Sequence, residues 1–159
     1  MTEYQVIKPV GIDANITPFA FQHYAKDFYE AYEKHKGGPR FSPARLFLLT
    51  RSIELAAKAL HLGQGRTVSD VLRLDHDLEA ACEPEILAAY GISITAAEEV
   101  ELKKANEYYQ RKGFEYFLFR MPGIPVDRSG PQQAASGWLG LPDEGVLESL
   151  LGKLLMPRL

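Results

Sequence analysis

The sequence predicts an all-α protein, an up-and-down bundle of four to five main helices with a long Pro/Gly-rich loop before the C-terminal helix. Three observations carry this expectation. Apolar residues recur at helical spacing in four stretches of the chain. Side-chain caps (Thr17-Pro18, Ser42-Pro43, and Thr95 with Glu98) stand in front of three of them. No strand-like runs alternate with these stretches in the order a parallel sheet requires.

The 159 residues, 46% hydrophobic and 25% charged, suit one domain spanning 1–159. A chain of this size removes about 70% of its unfolded surface from water. The net charge of −3 gives no basic field for non-specific nucleic-acid binding. The single cysteine, Cys82, excludes an internal disulfide framework and fits a reducing compartment. The N-terminus lacks the basic-then-apolar pattern of a secretory signal. The uncharged stretch Ile86 to Ala97 has twelve residues, where a bilayer span needs about twenty. A cytoplasmic protein with no membrane association is expected.

Residues 1–16 read as an irregular arm. The first helix starts at Thr17-Pro18, carries Phe21, Tyr24, Ala25, Phe28, Ala31 and Tyr32 at helical spacing, and ends near Lys36 before Gly37-Gly38-Pro39. The second starts at Ser42-Pro43 and runs to Leu62, with Gly63 as its stop. Its stripe of Leu46, Leu49, Ile53, Ala56, Ala57 and Leu60 is widened by Phe47 and Leu48, so it belongs at the centre of a bundle or at a subunit contact. Thr67 and Asp70 cap a short helix over Val68 to Leu74. His76 to Cys82 is helical in pattern, and Pro84 breaks and restarts the helix up to Gly91. Thr95 and Glu98 form a capping box for a helix with Val100, Leu102, Ala105, Tyr108 and Tyr109 that ends about Lys112. Glu99–Lys103 and Glu107–Arg111 are acid-before-base pairs one turn apart on it.

An aromatic run, Phe114 to Phe119, follows. The loop over 120–145 then holds four of the ten prolines, five of the thirteen glycines and the only tryptophan, Trp138. A loop of that length points to function or mobility. A final amphipathic helix over 146–155 presents Leu147, Leu150, Leu151, Leu154 and Leu155.

Few residues offer chemistry. Cys82 lies between Glu79 and Glu83, whose charges would raise its pKa, and reads as a buried structural thiol. No G-x-S-x-G turn is present. His61, His76 and Asp77 are the only metal-like group, but adjacent residues on a helix diverge by about 100°, so no metal site is expected. Gly63-Gln64-Gly65-Arg66-Thr67 before a helix has some character of an anion loop, yet a helix end followed by a cap explains it at least as well. Glu54 and Lys58 lie one turn apart on the apolar second helix, beside Arg51 and Ser52. If exposed they are an ordinary pair; if central they must be partnered.

The run from Ser52 to Leu60 with its Glu54-x-x-x-Lys58 spacing, followed by His76-Asp77-Leu78, resembles the HEPN family of helical domains. That family shows a Glu-x-x-x-Lys-like helix followed by a Gly-His-Asp-Leu-like helix start. Asp75 stands here where the glycine is usual. The stretch Asn106 to Tyr116 looks like the family's last core helix and the aromatic turn after it, so the likeness covers about residues 17–120. The resemblance implies a helical bundle, often a homodimer, in toxin–antitoxin, defence or RNA-processing settings. In what the resemblance implies, ribonuclease members carry an Arg, about four to six residues, then a His on a late helix. This chain has no such pair: nine residues separate Arg51 from His61 and Arg66 from His76, two separate Arg73 from His76, and no histidine accompanies Arg111.

The expectation is therefore a non-catalytic HEPN-like binding domain without cofactor or metal. It would form a homodimer or engage a protein, nucleotide or RNA partner. The expected site comprises Arg51, Glu54, Lys58, His76, Asp77 and Arg111. The alternatives are a divergent ribonuclease using Arg51, His61, His76 or Arg111, and a small-ligand protein whose pocket is lined by Phe114 to Phe119 and closed by the Trp138 loop.

Overall fold

A computed structural model describes residues 16–36, 42–116 and 141–157. Most of the 1–16 arm, the positions Phe117 to Phe119, and the loop as far as residue 140 with Trp138 lie outside the described residues. The rest is an all-helical bundle, with no strand among the described residues.

Its axis is α2, Pro43–Gly63, in which every residue from Ser52 to His61 is buried. This explains why the sequence of α2 is apolar nearly all round: it meets neighbours on every side. α1, Pro18–Lys34, packs along it. Where the two meet, Ala25 and Ser52 are fully buried, and the Ser52 Oγ donates to the Ala25 carbonyl at 2.6 Å. Small side chains there let the backbones approach. The buried stripe of α1 is narrower than its apolar spacing suggests. Tyr24 is 51% exposed, and the inward positions are Ala25 and Tyr32, with Phe28 packed at the edge.

α3, Val68–Arg73, α4, Leu78–Ala81, and α5, Pro84–Ala89, form an interrupted segment on α2. The helix expected over His76–Cys82 is shorter, because Asp77 is its cap and leaves His76 in the preceding turn. Pro84 does restart the chain as α5. The stop after α2 is not Gly63, which is still helical. The left-handed residue is Gly65 (φ 82), where a glycine avoids the Cβ clash. Gly91 (φ 70) plays that part after α5.

α6, Ala96–Gln110, has the full capping box: Thr95 accepts from the Glu98 N–H, and Glu98 accepts from the Thr95 N–H. It buries Leu102, Ala105, Asn106 and Tyr109 and turns Val100 outward, 52% exposed, against expectation. A short α7, Gly113–Tyr116, follows, with Phe114 in the core.

α8, Glu144–Leu155, begins two residues before the expected Val146, because Asp143 accepts from the Val146 N–H at 3.0 Å and caps it. Leu147, Leu150, Leu151 and Leu154 are almost completely buried against α2 and α6. Each contributes about 1.5–3 kcal/mol of burial, so Leu150→Ala alone would cost about 2–5 kcal/mol.

A polar clamp holds the other side of α8. Arg45 forks onto Glu144 at 2.7 and 2.8 Å, Tyr32 donates to Glu148, and Lys36 pairs with Glu148 at 2.8 Å. These ties span about a hundred residues of sequence and leave no local spacing signal.

Candidate functional site

Two cations of α2, Arg51 and Lys58, converge on one buried carboxylate of the same helix, Glu54. Glu54 is 1% exposed and accepts from groups on three parts of the chain. From its own helix, Lys58 Nζ lies 2.6 Å from Oε1, and an Arg51 guanidinium nitrogen 2.8 Å from Oε2. From α6, the Tyr109 hydroxyl donates to Oε2 at 2.5 Å. From the turn between α3 and α4, His76 Nδ1 lies 3.3 Å from Oε2. A carboxylate can only accept, so Nδ1 carries the proton and Nε2 is directed away from Glu54.

The question left open by sequence, whether Glu54 and Lys58 are a solvated pair or a partnered interior pair, is thus decided. A lone buried charge would cost several kcal/mol, and here it is compensated by two cations and two further donors. The balance appears in the titration. Burial works to raise the Glu54 pKa, but the hydrogen bonds from Lys58 and Tyr109 and the Arg51 charge outweigh it, and the carboxyl is held below its ordinary value. Tyr109 is pushed up, by burial first and by the Glu54 charge next.

Lys58 has a second duty. Its Nζ donates to the Asp75 carbonyl at 2.5 Å, fixing the turn that presents His76. Asp75 sits there at φ 46, the left-handed region in which glycine is least strained. Asn106 secures the other side of the turn. Its side-chain oxygen accepts from the Leu78 N–H at 2.8 Å, and its amide donates to Asp77 at 3.1 Å and to Glu79 at 3.0 Å. Asp77 meanwhile caps α4, accepting from the Ala80 N–H at 3.0 Å. His76 and Asp77 therefore point to different partners.

Of the six expected site residues, Arg51, Glu54, Lys58 and His76 form one cluster, and Asp77 is coupled to it through the turn. Arg111 is separate: it is exposed at the C-cap of α6 and makes no contact with the cluster among the described residues. Glu54 and Lys58 are interior, so only Arg51 and His76, each about one-third exposed, can carry the cluster's influence to the surface. Arg51 also lies over the Phe28 ring at 6.0 Å, and Tyr109 meets the His76 ring edge-on at 5.5 Å. Sequence reading assigned no role to Asn106 and treated Tyr109 as an apolar stripe residue. The available signal was an asparagine within the stripe Leu102, Ala105, Asn106, Tyr109.

Next to the cluster, and sharing His76 with it, a cleft of about 430 Å³ is lined also by Arg73, Asp75, Asp77 and Gln110. Among the described residues its lining has no serine, cysteine or threonine.

The other candidates resolve into structural parts. Cys82 is 2% exposed and its thiol is pushed up to about 12 by burial alone, not by the neighbouring carboxylates. His61 is fully buried with Nε2 2.8 Å from the Ala81 carbonyl, which makes Nε2 the protonated nitrogen. No group of three metal-ligating side chains occurs among the described residues. Arg66 pairs with Glu83 at 2.7 Å and Thr67 caps α3, so the Gly63–Thr67 stretch is a helix end followed by a cap. No helix among the described residues is long and apolar enough to cross a membrane.

Fold and site together define a helical bundle in which a buried carboxylate positions a surface histidine. The chain matches no family model, no curated protein and no solved structure at a significant level.

Proposed function

We propose that the chain is a non-catalytic HEPN-like binding domain of the cytoplasm, acting as a homodimer or with a protein or nucleotide partner at the cleft beside His76. One observation carries this reading: the Glu54 carboxylate is fully occupied inside the bundle, while the groups it orients, Arg51 and His76, reach the surface. The cluster is built to present a rigid polar surface, and the described lining of the adjoining cleft has no serine, cysteine or threonine. The HEPN-like component draws on the Glu-x-x-x-Lys pair facing the His76 turn and on Asp75 in a conformation that suits the family's glycine.

A second reading has its own observation. With Nδ1 held by Glu54 and Nε2 3.8 Å from an Asp75 carboxylate oxygen, His76 is a buttressed, one-third-exposed imidazole of the kind that serves as a general acid or base, which fits a divergent ribonuclease. One experiment separates the two. Purified protein is incubated with a panel of single-stranded RNAs, while amide shifts are followed on addition of nucleotides and light scattering gives its mass. The binding reading expects intact RNA, together with a dimer mass or saturable shifts around residues 73–80. Cleavage that disappears in a folded His76→Ala variant would replace it with the ribonuclease reading.

A further inference from the structure

A second cavity, of about 510 Å³, lies between α4, α5, the turn after α5 and the first turns of α6. Its volume is that of a small-molecule site. The inner wall is apolar: Leu87, Ile92 and Leu102 are nearly or wholly buried, Ile94 packs beside them, and the buried Cys82 belongs to the same lining. The polar groups are at the edge. Glu79 and Glu99 are both exposed, and Ser93 lies between the turn and α6.

The rim charges are unevenly satisfied. The sequence suggests that Lys103 neutralises Glu99 one turn away. Instead Lys103 lies 4.0 Å from Glu79, whose other oxygen accepts from Asn106 at 3.0 Å. The Glu99 carboxylate makes no hydrogen bond or ion pair among the described residues. The cavity thus offers an apolar interior and, at its mouth, a Glu99 carboxylate without a cation. Its described lining holds no basic side chain, and the nearby lysines are engaged elsewhere, Lys103 with Glu79 and Lys153 with the Ser93 carbonyl at 3.0 Å and Glu98 at 2.7 Å.

We propose that this cavity binds a monocationic amphiphile, a primary amine carrying an apolar chain or ring, with its body against Leu87, Ile92 and Leu102 and its ammonium beside Glu99. An anionic amphiphile would place like charge beside Glu79 and Glu99 and is rejected. A neutral one binds through its chain alone. This inference stands on the cavity and its rim and does not depend on the role of His76.

The test uses the whole chain, with amide shifts followed during titration with n-alkylamines from butyl to octyl and with the matching alkanols and alkyl carboxylates. Saturable shifts confined to residues 82–102 are expected with the amines. Affinity should rise about fourfold per added methylene until the cavity is full. The carboxylates should give no saturable response. Glu99→Gln should weaken amine binding about two- to fivefold, the effect of one solvent-facing ion pair, and leave the alkanols unchanged. Ala88→Trp, at an exposed position on the cavity wall, should abolish binding by all of them while circular dichroism stays native. Absence of saturable shifts with every amine overturns the proposal. So does equal binding of amines and carboxylates, or amine binding that neither variant alters.

Discussion

Replacing Glu54 by glutamine tests the account of the buried cluster most directly. The amide has the size of the carboxylate but only one acceptor oxygen. Whichever way it turns, an NH2 group replaces an oxygen that accepts from Lys58, or one that accepts from Arg51, Tyr109 and His76. The negative charge is lost while Lys58, 6% exposed, stays inside the bundle. Breaking a buried pair from one side costs about 3–5 kcal/mol, because the remaining charge is left uncompensated. For a domain of this size that lowers Tm by roughly 6–20 °C. Urea unfolding followed by helical circular dichroism measures it, with an unchanged m-value showing that the native and unfolded states remain comparable. Lys58→Met should cost less than Glu54→Gln, since Glu54 keeps Arg51, Tyr109 and His76. In a double-mutant cycle the second change should add little once Glu54 is gone. A loss below about 1 kcal/mol for Glu54→Gln, the range of solvated surface pairs, would refute the reading of Glu54 as the compensated interior charge of the bundle.

Four further outcomes are expected. His61 is held below its ordinary value of 6.5, first by burial, so the unfolded chain takes up the proton more readily. Its contribution is present in full above that value and is lost as pH falls below it; stability measured from pH 8 to pH 5 should fall, and the fall should be shallower in His61→Gln. Asp75→Gly should hold or raise stability, by up to about 1 kcal/mol, whereas Asp75→Val should lower it by about 1–2 kcal/mol, since φ 46 strains a β-branched residue; thermal melts distinguish the two. The Cys82 thiolate at neutral pH should be about a thousandfold scarcer than that of an ordinary thiol, so a bulky disulfide reagent should react with it only on unfolding. Thr95→Ala removes the cap acceptor of α6 and should cost about 1 kcal/mol in urea unfolding.

Most of the long helices were legible in local residues, whereas α7, the late start of α4 and the early start of α8 were not. Thr17-Pro18, Ser42-Pro43 and Thr95 with Glu98 cap the helices they were expected to cap, because a cap is a contact between residues three apart. The all-round apolar character of α2 announced its central place, and the stripe of α8 its buried leucines. Tertiary structure alone decided which faces count. Val100 and Tyr24 fit their helical spacing yet face outward, because the width of the buried stripe is set by how far a neighbouring helix reaches across it. The same holds for the site. Glu54 and Lys58 could be picked out as an unusual pair, but Tyr109, 55 residues away, reaches Glu54, and Asn106, 28 from Leu78, secures the start of α4, only when α6 packs on α2 and α4. A carboxylate's partners depend on distances across the bundle, and no spacing along the chain encodes them. The Glu54-x-x-x-Lys58 spacing and His76 drew attention to α2 and the turn before α4; the backbone carbonyl of Asp75, invisible to any reading of side chains, is what Lys58 uses to hold that turn in place.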